Sequence, residues 1–330
     1  MTADRPDIRC MVEQAYGLSG PTELTRLPGE NENFLVHSET AGRFVLKLTD
    51  DEYPAELFDL ENAVVDAARS VGLGVSLPVV IPTVSGQTFA TLERPPGPRL
   101  RGRLLEFVDG IAWNQLASHS SDLRFEFGRL LGNVDKALNQ IDLPAARRSH
   151  PWDLAAISQH RDSIRFVPDA DRRKQIESSF DLFEPLLSEL SCVPHSIIHG
   201  DANDENVLVK NGHIVGLLDF GDCLFNPTVC ELAIGLTYAM MHDESPLSAG
   251  AEIVAGYQEA FPRSTIELRM LFSLVMARLC NSVIVAAVRR SAAPEHPTWF
   301  ATESNAWQLF DRFSSYDPDD ATVRLTKALA

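Results

Sequence analysis

Asn211-Gly212 lies between two short apolar runs, Val207 to Val209 and Ile214 to Leu218. Asn-Gly flanked by such runs is the strongest short-range hairpin signal, because the favoured two-residue turn needs positive φ at both central positions. A hairpin here fixes more than two strands. It brings the residues before its first strand beside those after its second. Before it runs His199-Gly200-Asp201-Ala202-Asn203-Asp204-Glu205-Asn206, and after it Asp219-Phe220-Gly221-Asp222. Asp201, Asn206 and Asp219 are thereby predicted to converge from separate parts of the chain.

One carboxylate beside an Asn–Asp pair is the set that phosphoryl transfer requires: a base for the accepting hydroxyl and hard oxygen ligands for magnesium. The spacing narrows the reading. In the protein-kinase catalytic loop an Asn follows the catalytic Asp by five positions, and Asp-Phe-Gly comes later. Asp201 and Asn206 keep that interval, and Asp219-Phe220-Gly221 follows. Either motif alone is ordinarily a polar turn. Both in order, with a hairpin between them, argue for a site.

These residues carry a family resemblance. His199-Gly200-Asp201 with Asn206, then Leu218-Asp219-Phe220-Gly221-Asp222, resembles the aminoglycoside phosphotransferase and choline kinase superfamily, which has Gly where protein kinases have Arg. Asn203-Asp204-x-Asn206 is most similar to the hydroxylysine kinase branch, where a tripeptide like Trp152-Asp153-Leu154 also recurs.

The resemblance implies an α+β, two-lobed protein-kinase-like fold. Residues 1–107 would form a small antiparallel sheet with one main helix at 54–71. Residues 108–330 would form a larger, mostly α-helical lobe carrying the hairpin 199–222. It also implies the roles. Asp201 is the base, and Asn206 and Asp219 hold Mg2+. Lys47, in the apolar strand Phe44-Val45-Leu46-Lys47-Leu48, pairs with the phosphates of ATP or GTP. Glu61 in the following helix steadies Lys47, with Glu56 the competing candidate. The nucleotide base lies against the backbone of Glu106, Phe107 and Val108. His199 fixes the loop. Asp222 contacts an ammonium or caps the turn. Glu231 binds substrate or buttresses the loop. The implied acceptor is a small amine-bearing alcohol, with 5-hydroxylysine first and homoserine, choline, ethanolamine or an aminoglycoside as alternatives. A non-catalytic nucleotide-binding module is the alternative of a different class.

Bulk properties agree. With 330 residues the chain is long enough for two modest lobes. Its formal net charge of −17 offers no basic footprint for nucleic acid or an anionic membrane. Five cysteines without CxxC spacing read as reduced thiols of a cytoplasmic protein. Met1 to Cys10 is polar and predicts no secretory leader. Met270 to Val288 is the most apolar stretch, but Arg278, Asn281 and Ser282 within it predict a buried helix rather than a membrane span.

The remaining elements follow from periodicity and punctuation. Helices are expected over Pro6–Leu18, from Ser121 or Asp122 as N-cap to Gln140, and over 169–190, 247–261, 266–290, 299–313 and 321–329. Strands are expected over 23–27, 33–37, 43–49, 77–81, 88–93 and 196–198. Pro28 to Asn33 is a weak phosphate-covering loop with one glycine. Arg99 to Arg103 reads as loop, and Cys223 to Pro227 as a short connection. No long activation segment follows Asp222, which favours a freely diffusing acceptor over a docked peptide.

Overall fold

The computed structural model describes residues 6–28, 32–93, 97–294, 300 and 302–327. The chain divides into two compact units, Met1–Asp66 with Ser76–Val108, and Ala67–Val75 with Asp109–Ala330. The segment Ala67–Val75 therefore groups with the second unit, which a single cut after residue 107 does not anticipate.

The first unit contains α1 (Pro6–Tyr16), β1 (Thr22–Arg26), β2 (Glu32–Ser38), β3 (Gly42–Asp50), α2 (Ala55–Ser70, whose last turn belongs to the second unit), β4 (Val80–Ile81), β5 (Ala90–Leu92) and β6 (Leu100–Glu106). The strands form one antiparallel sheet in the order β1-β2-β3-β6-β4, with β5 also on β6. Its core is built by alternation. Leu24, Phe34, Val36, Leu46 and Leu104 point to one face and bury against Ile8 and Val12 of α1. The Tyr16 hydroxyl donates to the Gly102 carbonyl at 2.6 Å, so the end of α1 is bonded to β6.

Two expectations about the strands change in this unit, and a third lies partly outside the described residues. Arg99 to Arg103 is not a loop: residues from Leu100 onward belong to β6. Arg101 and Arg103 are alternate residues on one face, and each has an acidic partner, Asp51 and Glu61 respectively. A paired guanidinium does not oppose a strand as an unpaired one would. The strands expected over 77–81 and 88–93 shrink to β4 and β5, each of which pairs with β6 among the described residues. The phosphate-covering turn expected at Pro28–Asn33 falls partly on residues 29–31, outside the described residues.

The second unit begins with β7 (Ile111–Ala112) and α3 (Ser121–Leu138), followed after a 3-10 stretch by α4 (Ala170–Leu190). The site strands come next: β8 (His195–Ile198), β9 (Val207–Lys210), β10 (His213–Leu217) and β11 (Leu224–Pro227). The unit closes with α5 (Val229–Met240), α6 (Pro246–Ala260), α7 (Thr265–Arg269), α8 (Leu271–Ala292), α9 (Glu303–Ser314) and α10 (Pro318–Thr326). Ser120, not Ser121 or Asp122, caps α3, its side chain accepting from the Leu123 N–H. The helix expected over 266–290 is broken at Met270. A Ser264–Glu267 capping box starts the short α7, and the Met270 N–H bonds to Glu267 and Leu268 before α8 begins. Cys223 to Pro227 is not a bare connection, because β11 pairs antiparallel with β8.

α8 is long and apolar enough to cross a membrane, yet 89% of its most apolar window is buried within the protein. It is a core helix, and Arg278 and Asn281 lie fully buried on it. α3 and α6 approach through glycines. A Cβ on Gly128 would overlap the Ile253 carbonyl, and one on Gly256 would overlap the Phe125 carbonyl. The two backbones therefore touch directly.

Candidate active site

The hairpin forms as its turn dictates. Asn211 and Gly212 have φ of 54° and 79°, and β9 and β10 pair antiparallel from Lys210↔His213. At the open end the Leu218 N–H donates to the Asn206 carbonyl at 2.8 Å. That bond closes the hairpin base and places Asp219 beside Asn206. β8 and β11 pair antiparallel from Ile198↔Leu224, so His199 and Cys223 leave the same end of that ladder. The two antiparallel pairs thus gather His199 to Asn206 and Leu218 to Cys223 into one cluster.

His199 ties the two loops together. Its ring is fully buried, Nε2–H donates to the Leu218 carbonyl at 2.9 Å, and Nδ1 accepts the Asp201 N–H at 3.2 Å. One donor and one acceptor define a single neutral tautomer. The ring also meets Phe220 edge-on at 4.6 Å. Gly200 turns the chain at φ +78°, where a Cβ would sit 2.8 Å from the Asp222 carbonyl oxygen. Only glycine accepts both the conformation and that approach. The Gly200 N–H is received by Oε2 of Glu231 on α5 at 2.8 Å. Glu231 is fully buried, so its position is that of a buttress beneath the loop. Burial pushes its carboxyl up to about 7, against the pull of the Gly200 N–H and Arg278.

The Asp201 carboxylate is held on both oxygens. Oδ2 receives Nδ2 of Asn203 and Nδ2 of Asn206, each at 2.9 Å. Oδ1 receives a guanidinium nitrogen of Arg278 at 3.4 Å. Asn203 is a staple: its Oδ1 takes the N–H groups of Glu205 and Asn206 at 2.8 and 3.1 Å. The neighbouring Asp204 is buried and bonded to His242, anchoring the same loop beyond α5. Burial first, then the charge of Asp222, raises the Asp201 carboxyl well above the usual range, with Arg278 opposing and Asp219 adding.

Asn206 and Asp219 suit a hard divalent cation. Asn206 commits its amide nitrogen to the Asp201 carboxylate and carbonyl, which leaves its side-chain oxygen available to a cation. Asp219 is held left-handed at φ 57°, rare for a residue with a side chain, and its Oδ1 receives the Gly221 N–H at 3.4 Å. Among the described residues no three His, Cys, Asp or Glu side chains form a closed metal cage. Two protein oxygens are what magnesium takes when phosphates and water complete its octahedron. The donor set fits the ion.

Asp222 faces His150, whose Nε2 lies 3.4 Å from its Oδ1. Burial, with Arg148 and Arg278 nearby, lowers His150 to about 4, so the ring is neutral at pH 7. Arg148 donates to the Gly221 carbonyl at 2.5 Å and to the Cys223 carbonyl at 3.1 Å. Asp153 caps the following 3-10 stretch and accepts from Asn226 of β11 at 2.9 Å. Arg148, His150 and Asp153 therefore line one side of the site. Arg278, which the sequence offered only as an argument for a buried helix, bonds to Asp201. Its only sequence signal was a charge inside an apolar helix, which is a functional clue as well as an argument against a membrane span.

In the first unit Lys47 sits on β3 directly opposite Arg103 of β6. Glu61 does not take the expected pairing with Lys47. Glu61 bonds instead to a guanidinium nitrogen of Arg103 at 2.5 Å, while the other nitrogen reaches Asn62 Oδ1 at 2.6 Å. Arg103 is 4% exposed and stacks 4.7 Å from the Phe58 ring. The planar fork presents its two terminal nitrogens in fixed geometry to the two acceptors, one residue apart on the helix. Glu106 ends β6 with its N–H bonded to the Val79 carbonyl at 2.8 Å. The Arg43 guanidinium lies 4.2 Å over the Phe107 ring, and Val108 is buried.

Comparison with known proteins follows the same lines. Hydroxylysine kinase of Mus musculus is 28% identical, covering 91% of this chain and 88% of its own length. Homoserine kinase of Gluconobacter oxydans is 27% identical over 74% of this chain and 75% of its own. In structure, a microcompartment-associated aminopropanol kinase superposes with a TM-score of 0.74 at 20% identity, covering 98% of this chain and all of that one. The fold is thus the kinase-like fold that the resemblance implied. Residues 23–265 match the phosphotransferase enzyme family, and the chain belongs to that family.

Proposed function

We propose that this protein transfers the γ-phosphoryl group of ATP or GTP to the hydroxyl of a small amine-bearing metabolite, with a hydroxylysine-like acceptor favoured. The observation that carries the reading is the Asp201 carboxylate, fixed by Asn203, Asn206 and Arg278 beside a second carboxylate on Asp219. Asp201 orients the acceptor hydroxyl and takes its proton. Asn206 and Asp219 would hold Mg2+, which supplies charge neutralisation at the phosphates. Lys47 is assigned to the donor's phosphates, with Glu61 acting through the sheet by way of Arg103. The nucleotide base is assigned to the backbone of Glu106, Phe107 and Val108, where the Glu106 N–H is already bonded to the Val79 carbonyl and its own carbonyl is left for the base. Asp222, 31% exposed, is assigned to the acceptor's ammonium. His199 and Glu231 support the loop and take no part in the proton transfer.

The relatives named for hydroxylysine and homoserine share an amino-acid acceptor with a side-chain hydroxyl, and support that class over choline or an aminoglycoside. Five free cysteines, three of them buried, support a reducing, cytoplasmic setting. The test is a coupled nucleotide-consumption screen of amino alcohols and hydroxy amino acids with ATP and GTP, with Asp201→Ala as control. Turnover on 5-hydroxylysine is expected, and none with the variant. Equal turnover by Asp201→Ala removes the assigned base. Nucleotide binding without turnover on any alcohol leaves only a binding module.

A further inference from the structure

We propose that Arg278, held in place by Trp152, is a positioning residue that aims the proton-accepting oxygen of Asp201 at the acceptor hydroxyl; this rests on the kinase reading above. Lone pairs on Asp201 decide where a further donor can enter. A carboxylate oxygen accepts about two in-plane hydrogen bonds. Oδ2 of Asp201 already receives two, from Asn203 and Asn206. Oδ1 receives one, from Arg278. The open position is therefore on Oδ1, and the direction in which it opens is set by where Arg278 holds that oxygen.

Arg278 is placed for this. It is fully buried on α8, and a second nitrogen of its guanidinium donates to the Trp152 carbonyl at 3.3 Å. The nitrogen that meets Asp201 also reaches the Tyr238 hydroxyl at 3.2 Å. The guanidinium lies 4.6 Å from the Trp152 ring and 5.3 Å from the Tyr238 ring. Aromatic stacking and fixed donors leave the planar fork little freedom, and it stays charged at every working pH. Its Nε has no hydrogen-bond partner although buried. Burying a cation with one donor unmatched and its carboxylate contact at 3.4 Å costs stability. That cost, at the carboxylate that takes the proton, favours a functional origin. It also gives a role to Trp152, which the chemistry above did not use.

In the transfer the acceptor O–H bond breaks and its proton passes to Oδ1. The acceptor oxygen bonds to the γ-phosphorus, and the bond to the bridging oxygen breaks with its electron pair leaving on the nucleoside diphosphate. Arg278 neither gives nor takes a proton.

The test uses the full chain and the acceptor found in the screen. Arg278→Met fills the volume without charge; kcat should fall about 100-fold, in the range of a lost acid–base contribution, with acceptor and nucleotide KM within about threefold. Arg278→Lys should recover part of kcat, and guanidinium ion added to Arg278→Ala should raise its kcat. A residue serving only the fold would lower melting temperature without that kcat-against-KM split and without rescue. A folded Arg278→Met with kcat near wild type overturns the proposal. If that variant does not fold, Trp152→Phe and Arg278→Lys decide: both at wild-type kcat overturn it, and a kcat loss at unchanged KM supports it. Wild-type protein without turnover would instead refute the kinase reading, and this proposal with it.

Discussion

Glu231→Gln probes the buttress beneath the catalytic loop. Glu231 is fully buried; its Oε2 receives the Gly200 N–H, and its Oε1 has no hydrogen-bond partner. Its carboxyl titrates at about 7 in the folded protein, against 4.5 unperturbed. Between those values the native state holds a proton that the unfolded chain has lost. Stability from this group is therefore fully present below pH 4.5 and is lost as pH rises through about 7. At ~1.4 kcal/mol per tenfold change in protonation, the loss is at most roughly 3 kcal/mol. Glutamine resembles the protonated acid: it offers Gly200 an oxygen and brings no charge to desolvate. Urea denaturation followed by tryptophan fluorescence, repeated from pH 5 to 8.5, measures the effect. The variant should be more stable than wild type at pH 8.5 by ~1–3 kcal/mol and should show a flatter pH dependence. Glu231→Ala is the contrast. It leaves the Gly200 N–H unpaired and should cost ~1–3 kcal/mol throughout. A Glu231→Gln protein that is less stable than wild type at pH 8.5, with the wild-type slope intact, would refute the reasoning.

Three further outcomes follow from the geometry. Asp219→Ala should abolish metal-dependent nucleotide binding measured by calorimetry; unchanged affinity at saturating magnesium would remove the ligand assignment. Gly200→Ala places a side chain at φ +78° against the Asp222 carbonyl. The conformation alone should cost ~1–2 kcal/mol, and chemical denaturation should show a larger loss because backbone must also move. Arg103→Met strands the Glu61 carboxylate, only 13% exposed, and should destabilise by ~3–5 kcal/mol, read from the same denaturation curves. A near-neutral result would mean that Glu61 finds another cation, Lys47 being the neighbour on the sheet.

The parts legible in the sequence were those set by local rules. Asn211-Gly212 specified its own turn, and a turn there could bring together little other than Asp201, Asn206 and Asp219. Alternating β2 and β3 and the periodic α2 and α3 were equally direct. What escaped depends on partners far along the chain. Arg101 and Arg103 looked like loop residues because Asp51 and Glu61 lie about forty or more positions earlier. β11 was invisible because four residues ending in proline carry no pattern until β8 offers an edge. Arg278 meets Asp201 across 77 positions, through a helix whose periodicity speaks only of burial. The Lys47–Glu61 pairing failed for a related reason: the resemblance supplied two residues, and register supplied a third, Arg103, between them.

The backbone contact between α3 and α6 has a mechanical consequence. Helices kept apart by leucines can slide as rotamers change, whereas helices meeting at Gly128 and Gly256 have no such lubricant. The two should behave as a single rigid beam, with amide protons along the seam among the last to exchange with deuterated solvent. Any adjustment to a differently shaped acceptor would then have to come from the surrounding loops, because the beam cannot bend to meet it.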